Sequence, residues 1–382
     1  MALLELATSG ERLAQLNLAP SNQLQFDSVS KPHRRIFVEA SHSIAAAIRA
    51  MPKIELHRHL EGSWRLKSLS SIAREYCLPI DNYDIETIRP HVQIMPAEPR
   101  TWENFLGKFR FLRQFFRSET IIKRVTREVI ADAAADNIKY MELRFTPQAL
   151  NNVMRCEYGE VVHWVCTASQ AAAVEHNIQV RLIVSMNRHE EVSIGEAVLD
   201  AALAHRDHGV VAIDLAGQEA IYPAAPFSAL FQRAKREGMY ITVHAGEWAG
   251  ANSIYEALDL LGADRVGHGI RAVESPALMD SLVERGAALE VCPTSNVDSG
   301  VVPSLAEHPL PTLYQRGIYT TINTDDPLIS NINLSDQLIQ LVEHTSLTLD
   351  DLKQHQLVAS RVVFLPPHER ALLVTQFEQW FS

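Results

Sequence analysis

Eight short runs of β-branched and apolar residues recur along the chain, at 53–59, 140–145, 180–185, 210–215, 240–244, 265–268, 288–292 and 319–325. Most of them close on polar residues able to hold a metal or move a proton. Short apolar runs bounded by polar residues read as buried strands. Between the later runs lie helix-like stretches at 227–237, 253–261 and 275–285, which stop before Gly238, Gly262 and Gly286. Glycine takes the left-handed conformation of a helix C-terminus at little steric cost, so these are chemically sensible stops. Strand, helix and strand repeating roughly every 25 to 30 residues is the rhythm of a parallel sheet. Eight such units predict an α/β fold, a (β/α)8 TIM-type barrel with additional helices. The rival, a doubly wound open sheet, is disfavoured because the first run ends in His-x-His instead of a glycine-rich phosphate turn, and G-x-G-x-x-G is absent.

A chain of 382 residues accommodates one such barrel with insertions. Residues 1–50 form an N-terminal extension, polar until Pro32 and then helically spaced through Ile36, Ala40, Ile44 and Ile48, expected to pack outside the barrel. Residues 51–382 are expected to form a single metal-dependent hydrolase barrel domain, with a helical insertion over about 64–138 and a helical C-terminal tail over about 334–382. In the insertion, Trp64, Trp102, Phe105, Phe109, Phe111, Phe115 and Phe116 read as core and lid packing, with 101–117 placed to cover a pocket. A net charge of -11 without a basic cluster argues against a nucleic-acid partner, since phosphates are neutralised by grouped Lys and Arg. No stretch approaches the roughly 20 uninterrupted apolar residues of a membrane helix, so no membrane partner is expected. Cys77, Cys156, Cys166 and Cys292 are scattered without a C-x-x-C pair and read as reduced thiols. The opening Met-Ala-Leu-Leu-Glu-Leu lacks a basic n-region and a long apolar stretch, so a signal peptide is not expected and the location read is cytoplasmic. No feature of the pattern specifies an oligomeric state.

In a barrel the active site forms at the C-terminal ends of the strands, so the residues closing each run belong together. They are His57, His59, His244, Glu247, His268, Asp325 and Asp326, from the first, fifth, sixth and eighth runs. His57 and His59 are two apart on a strand, and both imidazoles therefore point to one side. Alone, a His-x-His reads as an exposed polar face and an Asp-Asp-Pro as a helix cap; their convergence on one rim is what favours a site. His244 offers a third nitrogen, and Gly246 lets the chain turn tightly enough for Glu247 to face the same cavity. The side chains of adjacent Asp325 and Asp326 diverge, which suits one carboxylate on a metal and the other on substrate. Three imidazoles and one carboxylate leave an open position for a water, as a catalytic zinc requires, and zinc brings the pKa of that water to about 7. Two-metal barrel hydrolases commonly bridge their ions with a modified Lys on the fourth strand. Here that strand ends Asp214-Leu215-Ala216-Gly217, so one divalent ion is favoured.

These residues resemble the adenosine deaminase family, in the adenosine and AMP deaminase branch of the amidohydrolase barrels. The likeness spans about 52–327 and rests on Pro-Lys-Ile-Glu-Leu-His-Arg-His-Leu-Glu-Gly (52–62), Asp-Leu-Ala-Gly (214–217), His-Ala-Gly-Glu (244–247), Gly-His-Gly (267–269), Cys-Pro-Thr-Ser-Asn (292–296) and Thr-Ile-Asn-Thr-Asp-Asp-Pro (321–327). The resemblance implies zinc-dependent hydrolytic deamination of adenosine and 2′-deoxyadenosine to inosine and ammonia, with one Zn held by His57, His59, His244 and Asp325. It also implies that Glu247 protonates ring N1, that His268 orients the attacking water, that Asp326 meets N7 and the Gly217 amide N3, and that His59 and Glu61 face the ribose. The substrate implied is a small purine nucleoside. Many members carry Asp where this chain has Glu61, and the His-Leu-Glu-Gly form also occurs in deaminases of adenine and of aminodeoxyfutalosine. Gly-His-Gly and Asp-Leu-Ala-Gly favour the nucleoside. The His59-Leu60-Glu61 match to the H-x-E of nucleic-acid deaminases lacks its P-C-x-x-C half and is a false positive. A different metal-dependent amidohydrolase on the same barrel would release a carboxylic acid, not ammonia.

Overall fold

The computed structural model describes residues 43–382. The expected N-terminal extension lies outside the described residues as far as residue 42. From there a helix over 43–50 buries Ile48, in line with the spacing of Ile44 and Ile48. Lys53 closes its end: the buried ammonium donates to the carbonyls of Ile48 at 3.2 Å and Met51 at 2.8 Å. This satisfies carbonyls that the last turn of a helix leaves without partners.

Eight parallel strands follow in sequence order: β1 Lys53–His59, β2 Ile138–Phe145, β3 Gln179–Asn187, β4 Val210–Ala216, β5 Tyr240–Ala245, β6 Arg265–His268, β7 Ala288–Val291 and β8 Tyr319–Ile322. Every neighbour is hydrogen-bonded from β1 through β8. The cylinder closes differently. A single parallel bridge, Arg58 with Asp325, joins β1 to the segment after β8. Side chains do the rest of the closing: Asn323 accepts from the Leu56 N–H at 2.8 Å, Gln356 from the Ile54 N–H at 2.7 Å, and Glu55 from the Thr324 N–H at 2.8 Å. A buried N–H without a partner is strongly unfavourable, so these side chains stand in for a missing ladder. The eighth run was expected to stay extended through residue 325. It stops at Ile322, and the chain turns at Asp325, whose φ is 63°.

The helices of the insertion are Leu66–Glu75, Ile85–Val92, Trp102–Leu112 and Glu119–Ala135, and those of the tail are Leu334–His344, Leu349–Val362 and Pro367–Phe381. Among the later helices, Pro276–Arg285 starts on the Ser275 hydroxyl and ends at Gly286 with φ 62°. The stretch read as one helix over 253–261 is instead a short helix, Ala251–Tyr255, that widens into a π-turn over Glu256–Leu260.

Alternation along the strands sends apolar and polar residues to opposite sides. Ile54 and Leu56 of β1 pack with Val363, Leu365 and Phe377 of the tail. Glu55 and His57 alternate with them and are completely buried. Inside the barrel Arg144 donates to Glu290 at 2.6 Å, and Arg265 bonds Glu290 at 2.6 Å and also Glu142. Buried charges persist only when paired and hydrogen-bonded, and here each carboxylate serves more than one donor. This charged layer forms the floor beneath the strand ends.

Candidate active site

The side chains of His57 and His59 leave β1 in the same direction, and His244 at the end of β5 and Asp325 beyond β8 meet them. One ligand atom from each of the four lies within 4.8 Å of all the others. His59 Nε2 is 3.2 Å from His244 Nε2, and Asp325 Oδ1 is 3.3 Å from His57 Nε2 and 3.4 Å from His59 Nε2. Two imidazoles are oriented from behind. His57 Nδ1–H donates to Glu290 Oε2 at 2.8 Å, and His244 Nδ1–H donates to Asp214 Oδ1 at 2.9 Å. Each bond leaves the Nε2 lone pair facing the centre, the tautomer a metal ligand needs. His57 Nε2 is buried with no hydrogen-bond partner, an arrangement that a cation would satisfy. Burial holds His59 well below the usual imidazole range and lowers His244, so both keep lone pairs at neutral pH. Asp325 stays ionised: burial opposes the charge, but the close approach of His57, with His268 and His59 around it, holds the carboxyl well below its ordinary range. Ser295 Oγ fixes its other oxygen at 2.7 Å. The donor set of three nitrogens and one carboxylate oxygen fits zinc.

A second group, His57, His268, Cys292 and Asp325, also gathers within that distance. Metals bind thiolates, whereas burial and the Asp325 charge push the Cys292 thiol well above its ordinary value. The first group is therefore the better cation site.

Glu247 and His268 face each other across the rim, His268 Nε2 to Glu247 Oε2 at 3.5 Å. Burial, then the charges of Asp325 and Glu219, push the Glu247 carboxyl well above the usual carboxylate range. The turn that carries it is held by Glu219, whose buried carboxylate accepts from the N–H groups of Gly246, Glu247, Trp248 and Ala249 at 2.6 to 3.1 Å. Gly246 has φ 65°, and a Cβ there would collide with Ile254. Both features explain why the chain can fold back so sharply after β5. His268 has φ 59°, an uncommon conformation for a residue with a side chain and a mark of functional sites.

His59, His244, Glu247, His268 and Asp325 line one cavity of ≈ 290 Å³ together with Glu61, Gly217 and Asp326, while His57 stays out of its lining. That size suits a small molecule. Glu61 accepts from the Thr146 N–H at 2.6 Å, its other oxygen is buried without a partner, and burial pushes its pKa up to about 7. Asp326 Oδ1 is likewise buried without a partner. Burial, then the charges of Asp325 and Glu61, push that carboxyl well above its ordinary range. Gly217 has φ 92°, and a Cβ there would meet His189 Nδ1 at 2.7 Å, so the close backbone wall depends on glycine. Phe105, Leu106 and Phe109 of the helix Trp102–Leu112 form the outer wall, as expected for a lid.

The structure thus brings every predicted site residue to one place. Sequence reasoning assigned no role to Asp214, Glu219, Glu290, Ser295 or Asn296. Glu290 and Asp214 had a signal, an acid inside an apolar run, whereas Glu219 lies in a loop with none.

The profile of the adenosine deaminase family matches residues 52–380. The adenosine deaminase of Erwinia tasmaniensis is 40% identical over 323 residues, 84% of this chain and 96% of that protein. Among solved structures, adenine deaminase from Arthrobacter aurescens superposes with a TM-score of 0.79 at 28% identity, covering 87% of this chain and 99% of that one. An amidohydrolase from Burkholderia ambifaria with bound Zn gives 0.79 at 27% identity, covering 90% and 94%. Fold, matched span and identity over nearly the whole chain agree: the chain belongs to the adenosine deaminase family.

Proposed function

We propose that this chain hydrolyses adenosine and 2′-deoxyadenosine to inosine and ammonia, using one zinc ion held by His57, His59, His244 and Asp325. The observation that carries the reading is the convergence of these four ligand atoms within 4.8 Å, beside a buried carboxyl whose surroundings favour its protonated form. These four residues would hold a zinc ion, which when bound would supply Lewis-acid activation of the attacking water. Glu247, whose surroundings favour the protonated carboxyl, donates a proton to purine N1 as C6 becomes tetrahedral. Protonating N1 draws charge into the ring as conjugation is lost, and this is general-acid catalysis by a carboxyl tuned upward by burial. His268 orients the attacking water. The Asp326 carboxyl shares a proton with N7, the Gly217 amide meets N3, and His59 and Glu61 face the sugar. The buried free oxygens of Glu61 and Asp326 support this, since each needs a partner that a bound nucleoside would provide.

The partner is then a small purine nucleoside, and the acidic chain has no reason to bind nucleic acid. No helix of the described residues is long and apolar enough to cross a membrane. All four cysteines are free, which supports a reducing, cytoplasmic setting. Residues 51–382 form the catalytic domain in this reading, with the preceding segment an addition to it.

The test is loss of the 6-amino chromophore with adenosine, adenine, AMP and aminodeoxyfutalosine in parallel, with ammonia assayed alongside. Adenosine is expected to turn over fastest. Glu61, in place of the commoner Asp, favours adenine or aminodeoxyfutalosine as the second reading, and turnover of either with adenosine inert would move the substrate while leaving the mechanism. No ammonia from any of the four would overturn the assignment.

A further inference from the structure

Beyond the residues that touch substrate, one chain of hydrogen bonds behind His268 has only one possible direction. It begins at the Leu310 N–H, which can only donate, and which meets His308 Nδ1 at 3.0 Å. His308 Nδ1 is therefore the acceptor of that ring, and a neutral imidazole then carries its proton on Nε2. Burial keeps the ring neutral, its pKa pulled down to about 3. His308 Nε2–H faces Asn296 Oδ1 at 3.2 Å, so the Asn296 carboxamide is oriented with its oxygen toward His308. The amide nitrogen then points the other way and donates to His268 Nδ1 at 3.1 Å. All three side chains are at least nine-tenths buried, and water does not compete for these bonds.

We propose that Asn296 and His308 are positioning residues that lock His268 as its Nε2–H tautomer, so that it presents a hydrogen-bond donor, never a lone pair, to the reacting centre. The surroundings of Nε2 agree, since its neighbours are carboxylate oxygens of Glu247 at 3.5 Å and Asp325 at 3.9 Å. Two consequences follow from the direction of the relay. His268 cannot act as the base that deprotonates water; it orients the attacking oxygen by donating to it and stabilises the charge that develops. It is also unable to join the cation site through Nε2, which removes the group containing Cys292 as an alternative and leaves His57, His59, His244 and Asp325. The inference rests on the deaminase reading for the word "reacting" only; the tautomer itself follows from the hydrogen bonds.

The test uses the zinc-loaded full chain with nitrogen-15 in its histidine rings, where two-bond proton–nitrogen correlations report which ring nitrogen carries the proton. The His268 signal is identified by its loss in His268→Gln. The expected spectrum shows His268 and His308 both protonated on Nε2. In Asn296→Asp the donor becomes an acceptor of nearly the same shape, and His268 is expected to shift its proton to Nδ1. With it kcat falls about a hundredfold, the cost of losing one donor at a developing charge, while KM changes less than about threefold. A His268 proton on Nδ1 in the unaltered chain would overturn the relay whether or not the variant folds, as would an unchanged spectrum in Asn296→Asp. A switched tautomer with kcat retained would overturn its catalytic part. If no 6-aminopurine releases ammonia, the functional reading fails while the spectrum still decides the tautomer.

Discussion

A carboxyl group keeps its proton toward neutral pH only where its charged form is unfavourable, and Glu247 sits in such a place. It is 3% exposed, with the Asp325 charge nearby, and both conditions favour the acid. Glu247→Gln keeps the shape and removes the proton, so kcat should fall about a thousandfold while zinc stoichiometry, read by metal analysis of the purified variant, stays at that of the unaltered chain. His244→Ala is the counterpart. It removes one of four ligands together with the imidazole bonded to Asp214 Oδ1, so metal and activity should vanish together; full zinc occupancy in that variant would contradict the ligand set. The residues of this pair are three positions apart and have opposite jobs, which the spacing alone did not assign. Their separation comes from the turn that Gly246 permits and Glu219 holds.

At the level of elements, the helix Trp102–Leu112 forms the outer wall of the cavity while taking no part in the chemistry. Its first turn is capped by Thr101, which accepts from the Asn104 N–H at 3.2 Å. One face of the helix buries Phe105 and Leu112, and Phe109 packs edge-on to Phe105 with ring centroids 6.4 Å apart. Phe109→Ala removes apolar wall that a bound purine nucleoside would cover in the ground state and transition state alike. KM should therefore rise about tenfold with kcat changed less than about threefold, measured by initial rates on adenosine. A fall in kcat at constant KM would instead place Phe109 in the chemical step. The aromatic pattern over 101–117 announced a lid, because amphipathic spacing is a local property. It did not say which ring faces the cavity, since that depends on where the barrel mouth lies.

Across the whole molecule, stability depends on ionisable groups sealed inside. His355 is completely buried under the seam between β8 and β1, its Nδ1–H donating to the Thr320 carbonyl at 2.9 Å, and burial pulls its pKa down to about 4. Above pH 6.5 the ring is neutral in both the folded and unfolded chain and costs nothing. As acid is added the unfolded chain takes the proton first, so stability falls from about pH 6.5 down to about pH 4, by about 3 kcal/mol in all. His355→Asn keeps a donor near the Nδ1 position and cannot titrate, so urea unfolding across that range should show a shallower loss than in the unaltered chain. Parallel pH profiles for the two proteins would contradict the buried neutral ring. The eight-strand rhythm and the identity of the residues that close the strands are legible in the residues alone, because period and strand ends are local and a barrel collects its strand ends at one mouth. The folded chain adds which nitrogen of each imidazole is free, that Glu290 orients His57 from 233 residues away, that side chains close the seam, and that Glu219 and Asn296 set the angles of Glu247 and His268. These depend on pairings between distant segments, and periodicity along a single chain carries no information about distant partners.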